Sequence, residues 1–482
     1  MKRPPTHHHR TRFGRPRRSG FTIIELVVAI GLTSVLLFLV SRVFFETQQV
    51  LTFGIKTSNA LAHARALGTQ FKTDTDAMLG PGSVTPRGYL IIFNGSTIAQ
   101  VKQPDGTERN EIIRTDQIVF IRSGGEIMTS LTPFDDTTLS NDFSSDTAKV
   151  WYGHARRANT DGTAGGGLGT GLDTFANDWV LARHALLLDP TNAAGQDVGT
   201  AGAVYLNEVA ASGVGAGVLL NQPASYDPPN ATASFAYSDL TFVDLLTLEG
   251  FLTGAGNTVP DYLDQAFAED TLSVLTQIDV NEGLFESWQS AQTHPYLAAH
   301  VSDFIVEFAA DLNFDGQIDT LDDKGTATTA DDDNAGAGDD PIYWYSVDSL
   351  TALGMTDTLT GAGFAYPNDS NGNPVLVTGN ALINFDYAQD PSPGPIGHGK
   401  LAFIFRMDDD TPFTTAGTPY SAWPALIRIR YRIHDTQGRL GSIDETRLTD
   451  RLDNDIDGTI DEADEANISG RMFEHILAVP RP

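Results

Sequence analysis

The stretch FTIIELVVAIGLTSVLLFLV, Phe21–Val40, decides how the rest of the chain is interpreted. Its twenty residues carry one charge, at Glu25, and as an α-helix they would be about 30 Å long, which matches the hydrocarbon core of a bilayer. The sequence therefore predicts one transmembrane helix over about 21–42. Seven Lys or Arg and no acid precede it within residues 1–20, so the N-terminus is expected in the cytoplasm and everything after Arg42 on the far side.

Glu25 separates three interpretations of this segment. A cleaved secretory signal peptide has a shorter apolar core followed by a small-residue cleavage site, and neither feature is present. A plain membrane anchor gives no reason for a carboxylate inside an apolar span, where insertion scales put its cost at about 2.5–3.5 kcal/mol. An acid with this cost is expected to have a functional partner.

The third interpretation comes from the sequence around this acid. RRSGFTIIEL, at Arg17–Leu26, resembles the processing site of type IV prepilins, and the resemblance covers roughly residues 15–45. It implies that a membrane peptidase cleaves after Gly20 and that Phe21 becomes the N-methylated first residue. It also implies that Glu25 pairs with the N-terminal ammonium of a neighbouring subunit, which would offset the desolvation of both charges. The predicted processing site consists of Gly20, Phe21 and Glu25.

The expected fold class is α+β. Beyond the span, apolar or small residues recur at helical spacing up to a break at Gly80–Gly82, so one long helix is predicted over 21–79. The resemblance implies a type IV pilin-like architecture, in which the first half of this helix crosses the membrane and the second half packs on an antiparallel β-sheet. The recurring residues are Leu61, Ala64, Leu67 and Phe71.

The chain is expected to divide into a cleaved basic leader at 1–20, the helix at 21–79 and an extracytoplasmic head at 80–482. A large insertion is expected at about 124–300, with helical segments at 238–252 and 260–277. The last predicted strand alternates apolar residues with three Arg, which indicates one buried and one solvated face. The predicted strands are Tyr89–Phe93, Glu111–Arg122, Val301–Ala310, Lys400–Arg406 and Ala425–His434.

Two stretches match the twelve-residue calcium loop of EF-hands: DLNFDGQIDTLD at 311–322 and DNDIDGTIDEAD at 453–464. Each places side-chain oxygens at positions 1, 3, 5, 9 and 12, a backbone carbonyl at position 7 and Gly at the sharp turn at position 6. Both end in Asp, where the pattern prefers Glu, so a modest affinity suited to calcium outside the cytoplasm is expected. The predicted ligands are Asp311, Asn313, Asp315, Gln317, Asp319, Asp322, Asp453, Asp455, Asp457, Thr459, Asp461 and Asp464.

These loops are better described as EF-hand-like, because a strand-like segment and not a clear helix precedes the first one. Their starts are too far apart in the sequence for a dockerin module, in which two such loops lie close together. Calcium is therefore the predicted cofactor, with a structural role in the head.

Composition excludes several classes of function. The chain has 482 residues, no cysteine and a formal charge of −31, so disulfides and thiolate sites are ruled out and binding to nucleic acid is not expected. The His residues form no HExxH motif, and no Ser lies in a GxSxG motif. The protein is therefore expected not to be an enzyme.

The layout is similar to that of large minor pilins and pseudopilins, especially the J-type subunit of type II secretion and the W-type minor pilin. A K-type subunit typically lacks the glutamate that this chain has at Glu25. The resemblance implies three partners: other pilins through the N-terminal helix, prepilin peptidase, and the assembly platform of the bacterial inner membrane. The head would lie in the periplasm before assembly into the filament. The alternative is an adhesin or binding protein that displays its head on a pilin-type anchor.

Overall fold

The protein is described by a computed structural model. The described residues are 22–80, 88–103, 106–129, 143–158, 166–188, 191–192, 240–241, 273–274, 296–310, 318, 320, 342–346, 365–368, 374–376, 382–383, 401–406, 414–415, 418–419, 423–434, 441–443 and 467–480. The chain forms two compact units, residues 1–58 and 59–482.

The long helix α1, Ile23–Asp76, confirms the predicted N-terminal helix. Its residues in the first unit expose their apolar side chains. In the second unit, buried residues recur at intervals of three and four, which places them on one face of the helix. These residues are Ala60, Ala64, Leu67 and Phe71, each at most 5% exposed.

The rest of the described chain is almost entirely β-structure, with two short 3-10 turns at Gly171–Asp173 and Ala176–Asp178. The strands are β1 Tyr89–Asn94, β2 Ser96–Lys102, β3 Glu108–Arg114, β4 Gln117–Thr129, β5 Phe143–Arg157, β6 Val180–Leu188, β7 Thr191–Asn192, β8 Leu240–Thr241, β9 Ser273–Val274, β10 Tyr296–Ala299, β11 Val301–Ala309, β12 Ala365–Asn368, β13 Pro374–Leu376, β14 Leu382–Ile383, β15 Leu401–Arg406, β16 Thr414–Thr415, β17 Thr418–Pro419, β18 Leu426–Ile433, β19 Gly441–Ile443, β20 Asn467–Ser469 and β21 Arg471–Ala478.

The largest sheet has the strand order β10-β6-β5-β4-β1-β15-β14, and all neighbours along this path are antiparallel. Three short strands join it at the side: β7 pairs with β5 in antiparallel orientation, whereas β8 with β6 and β9 with β5 are parallel pairs. The prediction of a long apolar helix with antiparallel sheets, and hence of an α+β fold, is confirmed at this level.

A second sheet has the order β11-β18-β21, also antiparallel. The two sheets and the buried face of α1 share one hydrophobic core. Phe71 of α1 is buried in it, with its ring centroid 4.9 Å from that of Tyr152 in the large sheet and 6.0 Å from that of Tyr431 in the second sheet. One aromatic side chain of the helix therefore contacts both sheets.

Three details of the sequence-based expectation differ from the structure. The single strand predicted at 111–122 is two strands, β3 and β4, because Asp116 turns its carboxylate inward to accept the backbone N–H groups of Gly95 and Val306. The predicted helices at 238–252 and 260–277 are wrong at β8 and β9, where the chain pairs with strands of the large sheet. The rest of those two segments lies outside the described residues.

The third difference concerns the arginine face of β18, which was expected to be solvated. Arg428 and Arg430 are half-buried and both bind Glu307 of β11. Arg432 is 1% exposed and pairs with Asp303 at 3.1 Å. The alternating pattern correctly predicted that β18 has an apolar face and an arginine face. The acids that neutralise the arginine face belong to β11, more than a hundred residues earlier in the chain. β5 and β6 also lie within the range predicted as an insertion, whose boundaries stay a prediction.

Candidate functional site

The first turn of α1 is closed by a capping box made by Thr22 and Glu25. The Thr22 N–H donates to Glu25 Oε2 over 2.9 Å, and the Glu25 N–H lies 3.3 Å from Thr22 Oγ1. This reciprocal pattern satisfies two backbone donors that a helix start otherwise leaves unpaired. Of the predicted processing site, Glu25 thus has a described position at the start of the helix. Gly20 and Phe21 lie outside the described residues.

The surface of α1 around Glu25 is almost entirely apolar. Large apolar side chains are exposed from Ile23, at 82%, through Ile55, at 62%. At 1.5 Å per residue this stretch is roughly 50 Å long, whereas a bilayer core is about 30 Å thick. By length and composition, α1 is the one described helix able to cross a membrane, and no residue in its most apolar 18-residue stretch is buried. Its apolar surface is also too long for the bilayer alone to cover.

Two hydroxyl groups between the first turn of this apolar segment and Val40 form hydrogen bonds within the helix. Thr33 and Ser34 each donate to the carbonyl oxygen four residues earlier, over 2.8 Å. A bilayer core offers no water to such groups, so internal hydrogen bonds lower the cost of placing them there. The next charges along the helix are those of Arg42 and Glu46, which form an exposed ion pair. Glu25 is therefore the one charge in the first five turns of the described helix.

The predicted calcium ligands lie outside the described residues in both loops. Of the first loop, only Ile318 and Thr320 are described, and Thr320 forms an antiparallel bridge with Ile342. Among the described parts of the chain, no group of three or more His, Asp or Glu side chains is arranged to hold a metal ion. The calcium sites stay a prediction from the sequence.

The strands on either side of the two loops are described. The first loop follows β11 directly, at the end of the second sheet where Ala309 pairs with Leu426. The second loop separates β19 from β20, which pair with each other, and β20 leads into β21 at the opposite end of that sheet, where Arg471 pairs with Ile433. The described strands that flank the two loops thus lie at opposite ends of the same sheet.

The head also contains buried ionic clusters that sequence reasoning missed. Asp116 is 0% exposed and accepts N–H groups from Asn94, Gly95, Arg114 and Val306. Burial raises the pKa of this carboxyl to about 6, while Arg114 and the N–H donors act in the opposite direction. An isolated Asp in the sequence carries no signal for such a cluster, because all its partners except Arg114 come from other segments of the chain.

A second buried cluster contains a serine and a histidine. Ser302 Oγ lies 2.7 Å from His434 Nε2, and His434 Nδ1 lies 3.1 Å from Asn177 Nδ2. Asn177 also donates to Ser469 Oγ over 2.9 Å. All four side chains are at most 5% exposed, so the hydroxyl is not presented to a substrate from solvent. These hydrogen bonds join β11 and β20 to the residue that follows β18 and to the 3-10 turn Ala176–Asp178.

Comparison with known proteins identifies the N-terminal segment only. Residues 15–41 match the family described as "Prokaryotic N-terminal methylation motif". No curated protein and no solved structure matches the chain. The motif contains Gly20, Phe21 and Glu25 and runs into the exposed apolar helix. Together, the motif and the helix support a membrane-anchored subunit of the type IV pilin-like kind. The motif implies association with other pilins and with prepilin peptidase in general. It also suggests a structural role rather than an enzymatic one.

Proposed function

We propose that this chain is a non-enzymatic minor pseudopilin or minor pilin, of the J-type or the W-type, that assembles into or primes a type II secretion pseudopilus or a type IV pilus. The observation that supports this most strongly is the methylation motif at 15–41, continued by a helix that exposes its apolar side chains through Ile55.

In this proposal, prepilin peptidase cleaves after Gly20 and leaves an N-methylated ammonium at Phe21. Glu25 of one subunit then pairs with that ammonium in a neighbour. Both charges lie at the start of an apolar helix, where an unpaired charge is costly, so pairing them sets the axial position of one subunit against the next. The capping box with Thr22 holds the carboxylate in place before it meets its partner.

The length of the apolar surface supports a role for other pilin helices as partners. The part that exceeds the bilayer core, from about Val43 to Ile55, exposes several large side chains. Burial of apolar surface contributes about 25 cal/mol per Å², so packing of neighbouring helices on this segment favours assembly. The assembly platform of the inner membrane would deliver the subunit, with its N-terminus in the cytoplasm and its head in the periplasm.

We further propose that the head binds calcium through the loops at 311–322 and 453–464. Carboxylate-rich loops repel themselves without a cation, and oxygen ligands at these spacings suit calcium. Because the cytoplasm is poor in free calcium, the head would reach its final rigidity only after export. The described flanks of the two loops lie at opposite ends of one sheet, which supports two separate sites over a coupled EF-hand pair.

Deletion of the gene tests the assembly role. Loss of protein secretion would support a pseudopilin, and loss of pili with secretion intact would support a minor pilin. Loss of adhesion alone, with secretion and filaments intact, would instead support the adhesin. Complementing the deletion strain with the Glu25→Ala variant is a more specific test. This variant should insert in the membrane and be cleaved, yet fail to restore the activity lost on deletion. Full complementation by this variant would contradict the proposed role of Glu25.

A further inference from the structure

Asp74 occupies a position that local helix chemistry disfavours. It lies in the last turn of α1, where the helix dipole presents partial negative charge, and it is 0% exposed. A buried acid at this end of a helix is stabilised only if strong partners neutralise it. Its partners must therefore come from the head.

Five groups form what we term the Asp74 cluster: Asp74, Gln70, Arg122, Tyr152 and Arg183. Arg183 donates from Nε and Nη2 over 2.6 and 2.9 Å, and Arg122 donates from Nη1 over 3.0 Å. Tyr152 donates its hydroxyl, and Gln70 donates from Nε2 over 3.2 Å. Burial alone would raise the pKa of Asp74, but its bonds to Arg183, Tyr152 and Gln70 hold the pKa below its usual value.

The partners outside the helix come from three adjacent strands of the large sheet. Arg122 is in β4, Tyr152 in β5 and Arg183 in β6, which are neighbours in the sheet order. Apolar contacts such as those of Phe71 are non-directional and permit the helix to slide or rotate. Charge-assisted hydrogen bonds to three strands at once are directional, so they fix both the rotation and the axial position of the helix end.

Strand β4, which carries Arg122, also binds the chain that follows the helix. Leu79 N–H donates to the Ile121 carbonyl over 2.8 Å, and Ser123 N–H donates to the Ala77 carbonyl over 2.9 Å. Met78 and Arg122 are therefore bridge partners in a pair that is not hydrogen-bonded directly. The helix thus ends in a backbone bridge to β4 beside the cluster, and not in a free linker.

We propose that the Asp74 cluster is the joint that makes residues 59–76 of α1 and the large sheet move as one body when the subunit is assembled. The joint would pass motion of this part of the helix to the head, so that incorporation of the helix into a filament also orients the head. This inference rests on the proposed function for its role in assembly. The rigidity of the joint can be measured independently of that role.

Hydrogen exchange of the full-length protein in detergent micelles tests the joint itself. Asp74→Asn keeps the shape of the side chain and removes its charge, and Asp76→Asn is the matched control, because Asp76 pairs with Lys72 on the exposed face of the same helix. We expect exchange at residues 59–79 to become at least tenfold faster in D74N, with β18 and β21 unchanged. Unchanged exchange at 59–79, or an equal increase throughout the head, would overturn the proposal.

A reversible covalent link tests the role in assembly. The natural chain has no cysteine, so Met78→Cys with Arg122→Cys places one thiol pair at a bridge whose Cα separation suits a disulfide. D74N should lower the assembled fraction of the subunit severalfold, and the link should restore it when oxidised with diamide but not when reduced. Failure of the oxidised link to restore assembly would overturn the proposal. If the wild-type chain enters no filament, the proposed function fails. The exchange experiment still shows whether the Asp74 cluster fixes residues 59–76 on the large sheet.

Discussion

At the scale of single residues, His154 is a buried side chain through which the stability of this head is expected to depend on pH. It is 5% exposed, its Nε2 donates to the Val301 carbonyl, and its ring packs edge-on against Trp179 at 5.3 Å. Its Nδ1 has no hydrogen-bond partner in the part of the chain that the structure describes. Burial lowers the pKa of this imidazole to about 4, while the bond to Val301 and the charge of Asp303 oppose that shift.

We predict that His154→Phe makes the head progressively more stable than the wild type as the pH falls. The folded-state pKa lies below that of the unfolded chain, about 6.5, so the unfolded state binds more protons between these values. The His154 contribution is full above pH 6.5 and is lost as the pH falls toward 4, by on the order of 3 kcal/mol. Chemical unfolding of both proteins at pH 7.5, 6 and 5 measures the difference, and a difference independent of pH would contradict the prediction.

At the scale of elements, α1 packs against β21 by means of one glycine. A Cβ atom added at Gly68 would lie 2.2 Å from the His475 ring, closer than any real contact permits. The hydroxyl of Tyr431 donates to the Ala64 carbonyl over 3.1 Å and lies 2.8 Å from His475 Nε2. The absence of a side chain at Gly68 therefore leaves the space that the His475 ring of the second sheet occupies against the helix.

We predict that Gly68→Ala destabilises the head by about 1–3 kcal/mol, the usual cost of overpacking a tight contact. Combining it with His475→Ala should recover part of this loss, because the two side chains would no longer overlap. Gly54→Ala is the control: no atom lies within 4 Å of its added Cβ, and Ala favours helix over Gly by about 1 kcal/mol. Thermal unfolding in detergent compares the wild type with Gly68→Ala, His475→Ala, the double variant and Gly54→Ala. Strictly additive effects of Gly68→Ala and His475→Ala would contradict the predicted overlap of the two side chains.

The elements also show what the sequence can and cannot predict. The helical spacing of Ala64, Leu67 and Phe71 predicted the buried face of α1, because that information is local; Leu61 is half-buried, and Ala60 is the buried residue one turn before Ala64. The strands at β1, β11, β15 and β18 were predicted for the same reason. The pairing of β5 with β6 in the large sheet, and the ion pairs of Asp74 and Glu307, depend on contacts between distant segments, which the pattern of a single sequence does not encode.

The calcium proposal is argued at the scale of the loops and the sheet to which they attach. Adding a chelator to the full-length protein should lower its melting temperature, and restoring calcium should raise it again. Asp315→Asn and Asp457→Asn each remove one charge from one loop, and their effects should add, because the flanks of the loops lie at opposite ends of the β11-β18-β21 sheet. Magnesium is the control ion. No shift on chelation would contradict the calcium proposal.

At the scale of the whole molecule, a basic N-terminal segment and an apolar helix are joined to a strongly acidic remainder. The formal charge is −31, although residues 1–20 carry seven basic residues and no acid. Such a body is repelled by anionic lipid headgroups, so the apolar helix and not the head holds the protein at the membrane. In the proposed function, the size of the predicted head, residues 80–482, would make it difficult to tile along a densely packed fibre, which favours a minor subunit at or near the tip.

Intact-mass spectrometry of the protein purified from its own membranes tests the central claim most directly. The pilin pathway predicts the mass of residues 21–482 with one added methyl group, and fragmentation should place that methyl group on the amino group of Phe21. An uncut chain beginning at Met1, or a chain cut elsewhere, would contradict the account and leave an ordinary membrane-anchored protein.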